Sequence, residues 1–325
     1  MTASPVQSVV VTGTSSFVGA HLAHAFAVAG HRVTATHSRP QTAYDGVRAA
    51  RLAHAAAGGA ALAELDITDG GAVAAIIGRA RPTVWVHHAG YATDYASADY
   101  NADAGRAVNV APLDTVFSAM AEVGGGVLIT GSSAEYAASD DANREEDAGL
   151  PDTPYGQSKL AETARARELA ARTGVPTRVG RLYIPFGRLD HPAKLIAQVT
   201  AGLRAGNPVD LSPCAQRRDF IGIGDVARAW LKMADDLERG GFDILNLCSG
   251  EATELRGLLF GIAAAMGADP ALLRFGARPM RPGEPAVSFG DNEKARRLLD
   301  WAPRPLDQAI REDLLGAGEG SSIPS

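Results

Sequence analysis

The sequence predicts an α/β fold, a doubly wound parallel sheet carrying a smaller C-terminal lobe. Two observations lead there. Short apolar, β-branched runs alternate with alanine-rich helical runs as far as Arg181, the pattern of a parallel sheet with helices on both faces. The first such unit, VVVTGTSSFVGAHL over residues 9–22, runs from strand through a glycine turn into a helix. With the next strand the unit spans about 30 residues, as in a dinucleotide-binding β-α-β unit.

Strands are predicted at 8–11, 32–36, 61–65, 83–87, 127–131 and 177–181, each a run suited to burial on both faces. Helical patterns cover 18–29, 71–79, 106–121 and 155–172. After Arg181 the regularity breaks, with proline and glycine clustered at 185–192, 206–213 and 276–285. These clusters predict a lobe inserted at the C-terminal ends of the strands, where such sheets bind ligands. Segments 221–234 and 242–248 look like returns to the main sheet. The expected division is a Rossmann-type domain at 1–183 plus about 214–250, and a substrate-binding lobe at about 184–213 and 251–315. The acidic stretch 139–154 is expected to be a surface loop and 316–325 a disordered tail.

A hydrophobic fraction of 46% supports a packed core, and a net charge of −6 gives no footprint for nucleic acid or anionic membrane. Cys214 and Cys248 lack metal-ligand spacing, so no metal site is expected and each thiol reads as buried and reduced. The start MTASPVQ has no basic and apolar leader pattern, and no apolar run is long enough to span a bilayer. The expectation is a cytoplasmic protein.

In the first loop, Gly13 suits the tight turn and Gly19 the close packing of helix on strand, while Ser16 stands where a glycine usually lets the backbone approach a pyrophosphate. Unpaired N–H groups at the helix start make an anion site, and the Ser16 hydroxyl has the chemistry to bond a phosphate. The rival reading is a bare strand–helix turn. After the second strand the sequence has Thr36-His37-Ser38-Arg39, with no carboxylate for a ribose 2′-hydroxyl. Ser38 and Arg39 suit a 2′-phosphate instead, which favours NADP(H) over NAD(H), with NAD(H) possible. The alternative is that Arg39 is a solvated loop arginine.

Tyr155 and Lys159 form Tyr-x-x-x-Lys, and four residues apart on a helix they share one face. A nearby ammonium favours the phenolate, which predicts a lowered Tyr155 pKa and a group able to exchange a proton with a carbonyl or alcohol. Ser132, at the end of the fifth strand, would put a hydroxyl in the same crevice.

These features, with LDITD, HHAG, NVAPL, TGSSAEY, YGQSK, RLYIPFG, RRDFIGIGDVA, LNLCSGE, RPGEP and LDWAP in order, make the chain similar to the extended short-chain dehydrogenase/reductase family, in its NAD(P)-dependent epimerase/dehydratase (nucleotide-sugar) branch. The similarity spans about residues 8–305. The resemblance implies a catalytic trio of Ser132, Tyr155 and Lys159. It implies cofactor contacts from Gly13, Ser15, Ser16, Phe17, Val18, Gly19, Ser38 and Arg39, from Asp66 and Ile67 beside the adenine, and from Ala89, Gly90, Asn109, Tyr155, Lys159 and Tyr183. Asn109 has a rival reading as a buried helix asparagine bonded to backbone. Ser133, Arg218 and Arg281 are implied to contact a nucleotide-diphosphate-sugar substrate, the bland alternative for each arginine being an ion pair, Arg218 with Asp219 or Arg281 with Glu284. A homodimer paired through the helices 106–121 and 155–172 is a further implication.

Two departures narrow the activity. Where 4,6-dehydratases of this family carry Asp-Glu after the strand-five hydroxyl, Ser133-Ala134 stand here, and Glu135 is expected to point elsewhere. Ile184 replaces an asparagine that commonly contacts the sugar diphosphate. The favoured reading is NADPH-dependent reduction of a nucleotide-activated 4-keto-6-deoxyhexose. The alternatives are an NAD-dependent nucleotide-sugar epimerase, reduction of another small carbonyl compound, and a non-catalytic NAD(P)-binding protein.

Overall fold

The computed structural model describes residues 6–147, 149–280 and 283–316. Seven parallel strands form the central sheet: β1 (Ser8–Val11), β2 (Arg32–His37), β3 (Ala61–Glu64), β4 (Val84–His87), β5 (Gly126–Ser132), β6 (Thr177–Leu182) and a seventh, Phe242–Leu247. Their spatial order is seventh, β6, β5, β4, β1, β2, β3. The chain direction across the sheet reverses between β1 and β4, so a crevice opens beyond the ends of those two strands. This is a Rossmann-type α/β architecture, as the alternating pattern predicts.

Helices α1 (Phe17–Val28), α2 (Gly46–Ala57), α3 (Gly70–Ala80), α4 (Ala102–Gly105), α5 (Pro112–Val123) and α6 (Pro154–Thr173) belong to this half. Strand alternation sorts the core into two layers. Val9 and Val11 of β1 join Leu22 and Phe26 of α1 and Trp230 on one face. Val10 joins Ile77 of α3, Phe117 of α5 and Leu169 of α6 on the other. A third cluster, including Phe186, Val199, Leu259 and Ile262, is built from the chain after β6. Ala295, Leu299 and Trp301, which the expected division assigns to the lobe, pack in the first cluster instead.

Local differences from the expected elements have physical causes. α2 is absent from the expected elements, because its GVRAARLAHAAA run has few large apolar side chains and buries only Arg51, Leu52 and Ala55. The predicted 106–121 helix is split into a π turn at Arg106–Val110 and α5, since Pro112 has no N–H to continue the ladder. Segment 221–234 resolves into the strand Phe220–Gly222 and the helix Ile223–Asp236. The acidic stretch is anchored to the sheet edge: Asn143 bridges Gly290, and the Glu145 carboxylate accepts from the Asn246 N–H at 2.8 Å. Residues 317–325, nearly all of the expected tail, lie outside the described residues. Among the described residues no helix is long and apolar enough to cross a membrane, and no group of His, Cys, Asp and Glu is arranged to hold a metal ion.

Candidate active site

The loop after β1 turns at Gly13, where φ is +72° and a Cβ would meet the Ala89 backbone at 2.8 Å. Only glycine fits both demands. A Cβ on Gly19 would overlap the Gly13 carbonyl oxygen, so α1 starts hard against the turn. Thr14 donates from its N–H (2.9 Å) and its hydroxyl (2.8 Å) to the Thr36 carbonyl, tying the loop to β2. The Ser15 carbonyl accepts from Arg51 Nη1 at 3.2 Å. Phe17 and Val18 bury their side chains in the core and leave their N–H groups at the helix start, so the cradle suits the pyrophosphate of a dinucleotide.

Ser16 is the N-cap of α1. Its Oγ accepts from the Gly19 N–H at 3.0 Å and lies 2.7 Å from His88 Nε2, while His88 Nδ1 lies 2.9 Å from Thr130 Oγ1. Burial pushes His88 down to about 4, so the ring is neutral and carries one hydrogen. Only the tautomer with that hydrogen on Nε2 leaves the Ser16 hydrogen free for a phosphate.

At the end of β2, Ser38 and Arg39 are exposed. The Arg39 guanidinium sits 4.8 Å from the Tyr44 ring centroid. The Arg39 N–H donates to the Tyr44 hydroxyl at 3.2 Å, and Ser38 Oγ is 3.5 Å from the same oxygen. None of these contacts involves a carboxylate. After β3, Asp66 is exposed and accepts from the Thr68 N–H (2.9 Å) and hydroxyl (2.7 Å), whereas Ile67 is buried in the core.

The end of the crevice that holds the candidate catalytic residues is set by α6. Thr153 caps it by accepting from the Gly156 N–H at 3.0 Å, and Pro154 opens it. Gly156 lets the helix close onto the Ala134 carbonyl. Tyr155 thereby sits in the first turn of α6, where the Ser132 side chain and the Lys159 charge both favour its phenolate. The Tyr155 ring meets Tyr95 and Tyr100 edge-on, at centroid distances of 5.8 and 5.7 Å.

Below this surface the polar groups are buried and paired. Glu135, fully buried, accepts from the Ser132 N–H (2.8 Å), Thr163 Oγ1 (2.9 Å) and Arg181 Nε (2.9 Å). It does point away from the crevice. The Lys159 ammonium is paired with Glu162, whose other oxygen lies 3.7 Å from His87 Nε2. Burial opposes the Lys159 ammonium, but Glu162 carries the group above the ordinary lysine value. Burial raises the Glu162 carboxyl to about 7. Tyr155 differs from expectation: burial pushes its phenol above the usual tyrosine value, and Lys159's downward pull is opposed by Glu162.

The remaining candidates are placed as follows. Asn109, buried in the π turn, accepts from the Tyr91 N–H at 2.7 Å and donates to Ser158 Oγ at 3.1 Å, so its side chain serves the protein's own framework. Gly90 lies against its Oδ1. Ser133 opens the short turn Ser133–Glu135 and is partly exposed. The Tyr183 side chain is 3% exposed, packed with Tyr136 and Cys248, and its hydroxyl accepts from Asn143 at 3.3 Å. Arg218 pairs with Glu284 at 3.1 Å, not with Asp219, and donates to the Pro285 carbonyl at 2.7 Å. Asp219 instead accepts from the Ser249 and Gly250 N–H groups at 2.6 and 3.0 Å. Arg281 lies outside the described residues.

Sequence reasoning did not single out Glu162, His87, His88, Tyr95 or Tyr100. The tyrosine-rich run YATDYASADY over 91–100 and the HH pair after β4 were the available signals.

Residues 9–248 match the NAD dependent epimerase/dehydratase family, and the chain belongs to it. It is thus an NAD(P)-dependent enzyme of the extended short-chain dehydrogenase/reductase type. A UDP-glucose 4-epimerase from Azospirillum brasilense is 28% identical over 94% of this chain and 90% of its own length. A dTDP-4-dehydro-6-deoxy-D-allose reductase from Streptomyces sp is 27% identical over 58% of this chain and 59% of its own. A UDP-glucose-4-epimerase from Stenotrophomonas maltophila, solved with NAD and formylated UDP-arabinopyranose, superposes with a TM-score of 0.82 at 24% identity, covering 96% of this chain and 98% of that one.

Proposed function

We propose that the protein reduces a nucleotide-activated 4-keto-6-deoxyhexose with NADPH. The observation that carries this reading is the end of β2, where Ser38, Arg39 and the Tyr44 ring form a carboxylate-free group suited to a 2′-phosphate. The cofactor, when bound, supplies the hydride. Ser132 then hydrogen-bonds the carbonyl oxygen as negative charge grows on it, and Tyr155 donates its proton there. Lys159 stabilises the phenolate that remains. Elimination of water is disfavoured, because Ser133 and Ala134 have no acid or base to offer and Glu135 is committed to Arg181. The sugar nucleotide would lie over the crevice with the later lobe as its cover, and α5 and α6 are the surfaces we assign to a homodimer of a cytoplasmic enzyme.

A second reading, nucleotide-sugar epimerisation, is favoured by the epimerase relative that aligns along 94% of this chain. The same three side chains would remove and return one proton. The two readings separate in a panel of nucleotide-4-keto-6-deoxyhexoses mixed with NADPH or NADH. Stoichiometric loss of NADPH with a new hydroxyl at C4 is expected. No cofactor loss, with interconversion of saturated nucleotide-sugars, would overturn reduction in favour of epimerisation.

A further inference from the structure

The carboxylate next to Lys159 has no part in the reaction just described, yet it is among the most buried charges in the chain. Glu162 lies three residues beyond Lys159 on α6 and is 1% exposed. One oxygen takes the Lys159 ammonium, and the other faces His87 Nε2 at 3.7 Å. His87 is fully buried at the end of β4, and burial pushes it down to about 3, so it brings no positive charge to Glu162. The other charged or titratable groups facing this cluster are Glu135 from the turn after β5, Tyr155 on α6 itself, with Tyr95 and Tyr100 against its ring, and His88 after β4. His88 is neutral as well. Lys159 is therefore the cation that Glu162 is built around.

We infer that Glu162 is a positioning residue that draws the charge of Lys159 away from Tyr155 and keeps Tyr155 a phenol, holding the proton a carbonyl substrate takes. The inference rests on the Tyr155–Lys159 assignment above. An ammonium alone beside a phenol favours the phenolate. A carboxylate bound to that ammonium leaves the phenol facing a compact ion pair, whose field is weaker than that of a lone charge. Burial raises Glu162 only to about 7, so at the alkaline pH where a tyrosine ionises it is an anion and the cancelling charge is in place. A phenol at neutral pH suits an enzyme whose chemical step begins by giving a proton. A Lys159 free of Glu162 would instead favour the phenolate that alcohol oxidation needs.

The test is tyrosinate absorbance titrated against pH, read as the difference between the protein and its Tyr155→Phe variant so that only Tyr155 is followed. The native midpoint is expected above the value of free tyrosine, about 10. In the Glu162→Gln background, again differenced against its Tyr155→Phe counterpart, the midpoint is expected to fall by about one pH unit or more, a tenfold more acidic phenol. A midpoint that stays put in folded Glu162→Gln overturns the inference. If Glu162→Gln does not fold, the native midpoint decides, and a value below that of free tyrosine overturns it. The titration needs no substrate. A silent keto-sugar panel with the expected titration thus overturns the proposed reaction alone, and turnover with an unmoved midpoint overturns the role of Glu162 alone.

Discussion

At the β5–α6 end of the crevice, Glu135, Arg181, Lys159 and Glu162 are each less than a tenth exposed and each holds a charged partner. At the β2 end, Ser38 and Arg39 are exposed and lean on one tyrosine. The first end is preorganised by buried polar bonds that a ligand does not have to form. The second is an open, solvent-facing contact held by a single aromatic side chain. Substitutions at the reacting end should therefore change chemistry or stability, and those at the β2 end should change only which cofactor is held.

The largest expected effect is on the chemical step. Tyr155→Phe should lower turnover by about 10²–10⁴-fold, the usual worth of a positioned proton donor, while NADPH affinity measured by fluorescence titration stays near the native value. Native rates in that variant would remove Tyr155 from the reaction.

Next comes the buried pair beneath it. Glu135→Leu strands the Arg181 guanidinium and should cost about 3–5 kcal/mol, read as a lower urea midpoint at unchanged slope. A loss under about 1 kcal/mol would mean that the pair is solvated, as surface pairs are.

Acid should act on the same interior. Burial holds His87 and His54 at about 3 and His88 and His21 at about 4, against 6.5 for the free side chain. Each contribution is present in full above 6.5 and is lost as the pH falls towards the folded value, because the unfolded chain binds those protons first. Burial raises Glu162 to about 7 and Asp219 to about 6, and lifts Glu145 and Asp313 as well; these four act in the opposite sense over part of the range. All four histidines carry large shifts and only Glu162 and Asp219 among the carboxyls do, so the urea midpoint should fall as the pH drops below about 6.5. A midpoint that rises on acidification would mean that the carboxyls dominate.

The smallest effect belongs to the exposed end. Arg39→Ala should weaken NADPH by about tenfold, the loss of one charge-assisted contact, and leave NADH nearly untouched. Equal losses for both cofactors would show that Arg39 does not read a 2′-phosphate.

The same contrast explains what the sequence made legible. The parallel sheet and its strands follow from apolar runs and turn glycines, and Gly13 and Gly19 declare themselves because only glycine fits where they sit. Tyr155, Lys159 and Ser132 are visible through spacing and strand position. Glu162 is not, since a carboxylate three residues after a lysine resembles an ordinary solvated helix pair until α6 packs against β5 and buries it. The Ser16–His88 contact joins residues 72 positions apart, and nothing local to either announces it. Arg218 reads as a ligand arginine from its motif, but its partner, Glu284, comes from a segment whose path only tertiary structure fixes. The direction of the Tyr155 shift was missed for the same reason, because burial and a second carboxylate outweigh the neighbouring lysine.

The most direct test of the account follows the hydride. Nucleotide-4-keto-6-deoxyhexose would be incubated with NADPH deuterated at the transferred position of the nicotinamide ring, and both products analysed by mass spectrometry and NMR. The account predicts deuterium at C4 of the sugar and one oxidised cofactor released for each sugar reduced. Sugar epimers formed with no deuterium and no free oxidised cofactor would contradict it.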